Sequence, residues 1–278
     1  MNILTFDIEE WFTYTQYPKG GESFFKPIID KLLEELLDTL DELNVKATFF
    51  CLGVIARDNP QLIKRIYNRG HEIGCHSDIH SFLSQLTPKS FKEDTHKAID
   101  SLEQVVGNKI EYYRAPAFSI TEETKWAFDI LLDEGITCDS SIFPSNRNFG
   151  GFQSFNKSDP VTLMVNNHEL LEFPINFTSI LGKRLMFSGG GYFRLLPYSF
   201  TKYFMYKSDY NMTYFHIKDF DSEQKKVYPF FSLEYLYSYY GINTSFNKFN
   251  NLIKDFQFIS MGQAIKQIDW SKQSKITL

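Results

Sequence analysis

The chain has 278 residues, 43% of them hydrophobic, enough for a continuous core in one large domain or two small ones. A formal net charge of -5, with no long Lys/Arg cluster, argues against a nucleic-acid surface, because phosphate binding needs grouped cations. Cys51, Cys75 and Cys138 are an odd number without zinc-ribbon spacing, which argues against a disulfide framework and predicts buried thiols in a reducing compartment.

The N-terminal Ile3–Phe6 run predicts a buried strand, with Asp7-Ile8-Glu9 at its end. Since that strand pattern starts at once, with no basic region or cleavage site ahead of it, a cytoplasmic protein is expected. A helix over 27–43 follows from Ile29, Leu32, Leu33, Leu36, Leu37, Leu40 and Leu43 at helical spacing. Ala47–Cys51 is a second predicted strand. Asn59-Pro60 is an N-cap and first-turn proline, and that helix stops at Gly70. Glu72–Cys75 is the third strand and delivers His76 at its end. Thr87-Pro88 caps a helix whose inner face is Phe91, Thr95, Ala98, Ile99, Leu102 and Val106, closed by Gly107. Tyr112-Tyr113 leads into Arg114-Ala115-Pro116. Thr121-Glu122-Glu123 opens a helix ending at Gly135, and Ile136–Cys138 leads into Asp139-Ser140-Ser141. Later strands are predicted at Leu170–Pro174, Thr213–His216 and Phe258–Ser260.

This alternation is the pattern of parallel βα units, and it predicts an α/β fold of one domain over 1–278, a distorted (β/α) barrel. The stretches 143–167 and 182–196 interrupt the rhythm and are expected to be ordered loops over the barrel mouth. No apolar run approaches the roughly 20 residues of a bilayer-spanning helix. The 28 Phe and 16 Tyr suit sugar stacking or a membrane-associated substrate; an A/T-rich codon bias accounts for them equally well.

Polar candidates gather at the strand ends, where barrel enzymes place their chemistry. Asp7 and Glu9, two apart, share one face while Ile8 points away, so one carboxylate can bind a metal and the other act as base. His76 and His80, four residues apart on consecutive turns of a helix or a tight loop, can meet one ion. Two histidines and a carboxylate leave an open position, where a zinc-type ion lowers the pKa of a bound water to about 7. The planar fork of Arg114 suits a carboxylate, and His216 suits protonation of a leaving group. Taken singly, each has a plain alternative: solvated acids, a surface arginine, hydrogen-bonded core histidines.

In order and spacing, Asp7-Ile8-Glu9, His76-Ser77-Asp78-Ile79-His80, Arg114-Ala115-Pro116, Asp139-Ser140-Ser141 and Phe215-His216 resemble the polysaccharide deacetylases, the NodB-homology group or carbohydrate esterase family 4. Glu172-Phe173-Pro174 and the segment 188–195 resemble its exopolysaccharide-associated branch. The resemblance implies metal-dependent removal of acetyl from an N-acetylated sugar. Its site would comprise Asp7 as base, His76 and His80 as ligands, Arg114 orienting the base, His216 as acid and the Ala117 N–H at the oxyanion. The commonest first motif has two adjacent aspartates, whereas here Ile8 separates Asp7 from Glu9. Glu9 is then the expected third ligand, with an exchange of the two roles as the alternative.

The implied cofactor is one divalent ion, zinc with cobalt or nickel as alternatives. The implied substrate is an N-acetylated sugar in surface polysaccharide or glycolipid biosynthesis, carried on a polymer or a lipid-linked saccharide, with peripheral association at the inner membrane face. Sequence leaves the oligomeric state open. Rival readings are an amidase of the same fold acting on a non-sugar amide, and an inactive carbohydrate-binding protein. Sugar recognition is expected from Phe149-Gly150-Gly151-Phe152 and 189–194, with Arg194 pairing to a phosphate or carboxylate.

Overall fold

The computed structural model describes residues 1–9, 29–147, 149–224, 226, 228, 230 and 232–278. Its strands are β1 (Asn2–Ile3), β2 (Thr5–Ile8), β3 (Thr48–Cys51), β4 (Glu72–Cys75), β5 (Tyr112–Tyr113), β6 (Cys138–Asp139), β7 (Val161–Val165), β8 (His168–Glu172), β9 (Thr178–Ile180), β10 (Lys183–Leu185), β11 (Asn211–Met212), β12 (Phe215–His216) and β13 (Lys275–Thr277). Nine of them form one sheet in the order β12-β2-β3-β4-β5-β6-β8-β7-β13. Every pairing in it is parallel except β7 with β8, so the α/β fold expected from the alternating pattern is present.

Parallel strands need long crossovers, and here helices supply them. The helix Ile29–Glu42 places Leu33, Leu36, Leu37 and Leu40 in the core; Pro27 and Ile28, where the predicted helix begins, lie outside the described residues. Asn59 caps Pro60–Asn68 by accepting from the Leu62 N–H at 3.3 Å. Thr87 and Ser90 form a reciprocal capping box on Pro88–Val106, which ends in left-handed Gly107. These helices and β2 to β4 share one cluster with Phe6, Phe49 and Phe215, so the apolar residues of the strands anchor polar ones at their C-terminal ends.

Three expectations need correction. The stretch 143–167 is not only loop: Val161–Val165 is a strand that returns antiparallel to β8 through Asn166 and Asn167, both left-handed at φ 47° and 66°. The stretch 182–196 likewise contains β10, paired with β9, and a helix at Gly190–Leu195. At Phe258–Ser260 the predicted strand reduces to a single parallel bridge between Ile259 and Ile3. All three cysteines are free and buried. Among the described residues no helix is long and apolar enough to cross a membrane.

Candidate metal centre and its acid–base pair

Parallel register sets the site. Phe215 aligns with Phe6 and His216 with Asp7, so the candidate acid and base leave adjacent strands side by side. His76 follows β4 directly, and the residues to His80 form a loop, not a helix turn. That loop is tied down: Gly53 and Val54 N–H groups donate to the Ser77 and Asp78 carbonyls at 3.0 Å, and the His80 N–H donates to the Ser77 hydroxyl at 3.0 Å. Left-handed Ser77 (φ 71°) and His80 (φ 65°) make the turn that aims both imidazoles at one point. Asp78 has a structural duty here, gripped by Arg57 at 2.5 Å and Lys97 at 2.7 Å.

Glu9, His76 and His80 are buried and offer ligand atoms within 4.8 Å of one another. The Arg114 carbonyl can only accept, so the His76 Nδ1 at 2.7 Å must be the donor, and Nε2 is the nitrogen that faces Glu9. Glu9 Oε2 lies 2.5 Å from His80 Nε2 and 3.7 Å from His76 Nε2. Its other oxygen, Oε1, faces His216 Nε2 at 3.4 Å and Lys218 Nζ at 3.3 Å. Burial pushes Glu9 upward, but His80, Lys218 and His216, with a hydrogen bond from His76, outweigh it and hold the carboxyl well below its usual range. Burial draws His80 down; at His76 it is overcome by Asp7 and Glu9, and the imidazole is raised. Two imidazoles and one carboxylate suit a zinc-type ion and leave coordination positions for water or substrate.

Asp7 stands beside this set. Arg114, completely buried, donates from one terminal nitrogen to Asp7 Oδ1 at 2.8 Å and to the Thr5 hydroxyl at 2.7 Å. Its other nitrogens reach the Ser140 carbonyl and hydroxyl at 3.2 and 3.0 Å, and its carbon lies 4.2 Å from the Phe50 ring centre. Asp7 Oδ2 faces His216 Nε2 at 3.8 Å. The His216 Nδ1–H donates to Asp219 at 3.0 Å, and Asp219 receives the Arg194 Nε–H at 2.8 Å. Burial opposes ionisation of Asp219, yet Arg194 and His216 hold it well below its usual range. Ala117 sits in the turn just after Arg114-Ala115, in left-handed backbone with φ 52° and followed by Phe118 at φ 54°. The Gly151 N–H donates to the Phe118 carbonyl at 2.9 Å, and a β-carbon on Gly150 would collide with that same carbonyl.

Residues 3–130 match the polysaccharide deacetylase family, and 140–266 match a domain of unknown function, DUF3473. Residues 3–130 are a polysaccharide deacetylase domain. Over 94 residues the chain is 37% identical to a peptidoglycan-N-acetylglucosamine deacetylase of Bacillus cereus, covering 34% of each chain. Over 119 residues it is 31% identical to a chitooligosaccharide deacetylase of Sinorhizobium fredii, covering 42% of this chain and 49% of the other, so half or less of either relative is spanned. The fold superposes on a Mycobacterium smegmatis protein provisionally described as a polysaccharide deacetylase, with a TM-score of 0.66 at 20% identity over 99% of this chain and 92% of that one.

The deacetylase domain thus holds Asp7, Glu9, His76, His80, Arg114 and Ala117, while His216 comes from the second matched region. Sequence reasoning missed Lys218, Asp219 and Ser140 as members of the site. Asp219, three residues after His216, carried a readable signal, since that spacing on a tight turn brings two side chains together. Arg194 is a correction: it is buried and spent on Asp219 and on the carbonyls of Tyr237, Ser238 and Tyr240, so it does not face a substrate anion. Phe152 is buried as well, whereas Phe149 is half exposed and its ring lies 5.1 Å from Phe82, which in turn packs against His80. Behind Arg114, Asp139 and Glu172 form a buried carboxyl pair on paired strands; burial raises both, and Asp139 pushes Glu172 well above the ordinary carboxylate range.

Proposed function

We propose that the protein is a metal-dependent deacetylase that hydrolyses the acetamide of an N-acetylated sugar. One observation carries this reading: a buried two-histidine, one-carboxylate set lies against a carboxylate and an imidazole that register places on adjacent strands. The names of the relatives support the substrate class, and surface polysaccharide or a lipid-linked saccharide is the setting we favour.

Glu9, His76 and His80 would hold the ion, zinc by donor type with cobalt or nickel as alternatives. When bound, it supplies a Lewis acid and a water of lowered pKa. Asp7 has Oδ1 occupied by Arg114, so Oδ2 is the atom that takes the proton from the attacking water. The Ala117 N–H donates to the oxygen of the tetrahedral adduct. His216, whose Nδ1–H is held by Asp219, gives the Nε2 proton to the departing amine; the C–N bond breaks, and acetate and the free amino sugar leave. His216 is also the most exposed of the acid, base and ligand side chains, at 20%, which puts the approach of the substrate on its side.

The test is release of acetate from N-acetylglucosamine oligomers and from peptidoglycan, before and after removal of metal by a chelator. Acetate release lost on chelation and restored by Zn2+, Co2+ or Ni2+ is expected. Release that persists in fully metal-stripped protein would sink the reading.

A further inference from the structure

The site contains three buried carboxylates, and each already faces a cation: Asp7 meets Arg114 at 2.8 Å, Asp219 meets Arg194 at 2.8 Å and Glu9 meets Lys218 at 3.3 Å. The first two pairs explain themselves, since the arginines aim a base and an imidazole. The third is different, because Glu9 is itself a ligand candidate and a cation beside it opposes the binding of another. Lys218 leaves the same turn as His216, its side chain is about one-fifth exposed, and its ammonium takes Oε1 while Oε2 is left toward His80 and His76.

We propose that Lys218 is a positioning residue that balances Glu9 in the metal-free site and sets how tightly the centre holds a divalent ion. The inference rests on the metal-site reading above. An ionised Glu9 this deeply buried is a costly state in low dielectric, and the Lys218 ammonium 3.3 Å away offsets part of that cost. With it, the charge of Glu9 is partly offset before the ion arrives, and Glu9 presents Oε2 to the histidine side. Balance has a second consequence: the ion meets a carboxylate whose field Lys218 has already partly cancelled. Binding is therefore weaker than the donor set alone would give, and the ion can exchange. Loss of orientation on removing Lys218 acts in the opposite direction. It is the smaller effect, because Glu9 is also confined by His80 at 2.5 Å and by its own burial.

The experiment measures Zn2+ dissociation constants at pH 8, by competition with a chromophoric chelator, for the wild-type chain and for Lys218→Met, Lys218→Arg and His80→Ala. Lys218→Met should bind Zn2+ about tenfold or more tightly, because a nearby like charge is gone. Lys218→Arg should stay near wild type, and the thermal midpoint of metal-free Lys218→Met should fall and be restored by Zn2+. Equal or weaker binding by Lys218→Met, with the wild type still binding more tightly than His80→Ala, overturns the role of Lys218 and leaves the metal site standing. Wild type and His80→Ala binding alike overturns both. If Lys218→Met does not fold, Lys218→Gln makes the same comparison.

Discussion

The two halves of the site are held by different means. Glu9, His76, His80, Asp7 and Arg114 project from the ends of β2, β4 and β5 or from loops tied to them, and their backbones are locked in a parallel ladder or zipped to the helix Gly53–Asp58. His216 leaves β12, but Lys218 and Asp219 follow it on a short 3₁₀ turn whose orientation depends on Arg194, a side chain from the helix Gly190–Leu195. Ligand geometry tolerates little drift, and strand ends provide that rigidity. The acid must reach a leaving group, and a turn braced by ion pairs can be adjusted without moving the metal donors. Damage to the first half should therefore abolish the chemistry outright, and damage to the second should degrade it by steps.

The largest effect should come from the first half. A His76→Ala/His80→Ala double variant should go from one bound ion to none and lose activity by about a thousandfold or more, with circular dichroism unchanged. A fully loaded, active double variant would dissolve the distinction between the halves. Next comes the division of labour between the two acids. Asp7→Asn should keep its metal and lose about 10²- to 10⁴-fold in kcat, while Glu9→Gln should weaken metal binding. Reversed metal stoichiometries would exchange their roles.

In the second half, Arg194→Met should leave metal content intact while lowering kcat about 10- to 100-fold, since Asp219 loses the cation that fixes it beneath His216. Stability should fall by about 3–5 kcal/mol, the usual cost of orphaning one member of a buried pair, measured by urea unfolding. Loss of metal from this variant would show that the halves are not separable.

The smallest effect tests the support behind Arg114. Glu172 is held protonated in the fold well above the pH at which it ionises in the unfolded chain, so the folded state carries an extra proton once pH exceeds about 4.3. Its contribution to stability therefore declines as pH rises from that value toward the folded pKa, and Asp139 acts in the same sense. Glu172→Gln should lose less stability than wild type between pH 5 and pH 8, by about 1 kcal/mol or more. Parallel pH curves would mean that Glu172 is ionised in the fold.

Much of the rigid half was legible because strand-end residues are neighbours in sequence or follow directly from strand periodicity. Glu72–Cys75 and the delivery of His76 are the clearest case. Val161–Val165 was not, although Asn166-Asn167 at its end is a hairpin signal; a short strand without polar alternation reads like an apolar loop. The braced half was legible only at His216. Arg194 joins Asp219 across 25 residues of chain, and no local pattern distinguishes an arginine that braces an aspartate from one that meets a substrate. The pairing of Asp139 with Glu172 is similarly a product of strand order, β6 beside β8, which a linear reading does not supply.

The register of His216 with Asp7 carries the distance between the proposed proton donor and acceptor in the backbone itself. Neighbouring strands lie about 4.8 Å apart in any sheet, whatever loops they support. An exchange of the segment around Phe149, whose ring packs on Phe82 beside His80, would accordingly leave that spacing unchanged, whereas one around Tyr192 would take Arg194, the brace of Asp219, with it. A slip of one residue in β12 would undo the spacing itself, turning Phe215 into the pocket and His216 into the apolar layer. Sequence change is thus tolerated around Phe149 and forbidden along two short strands.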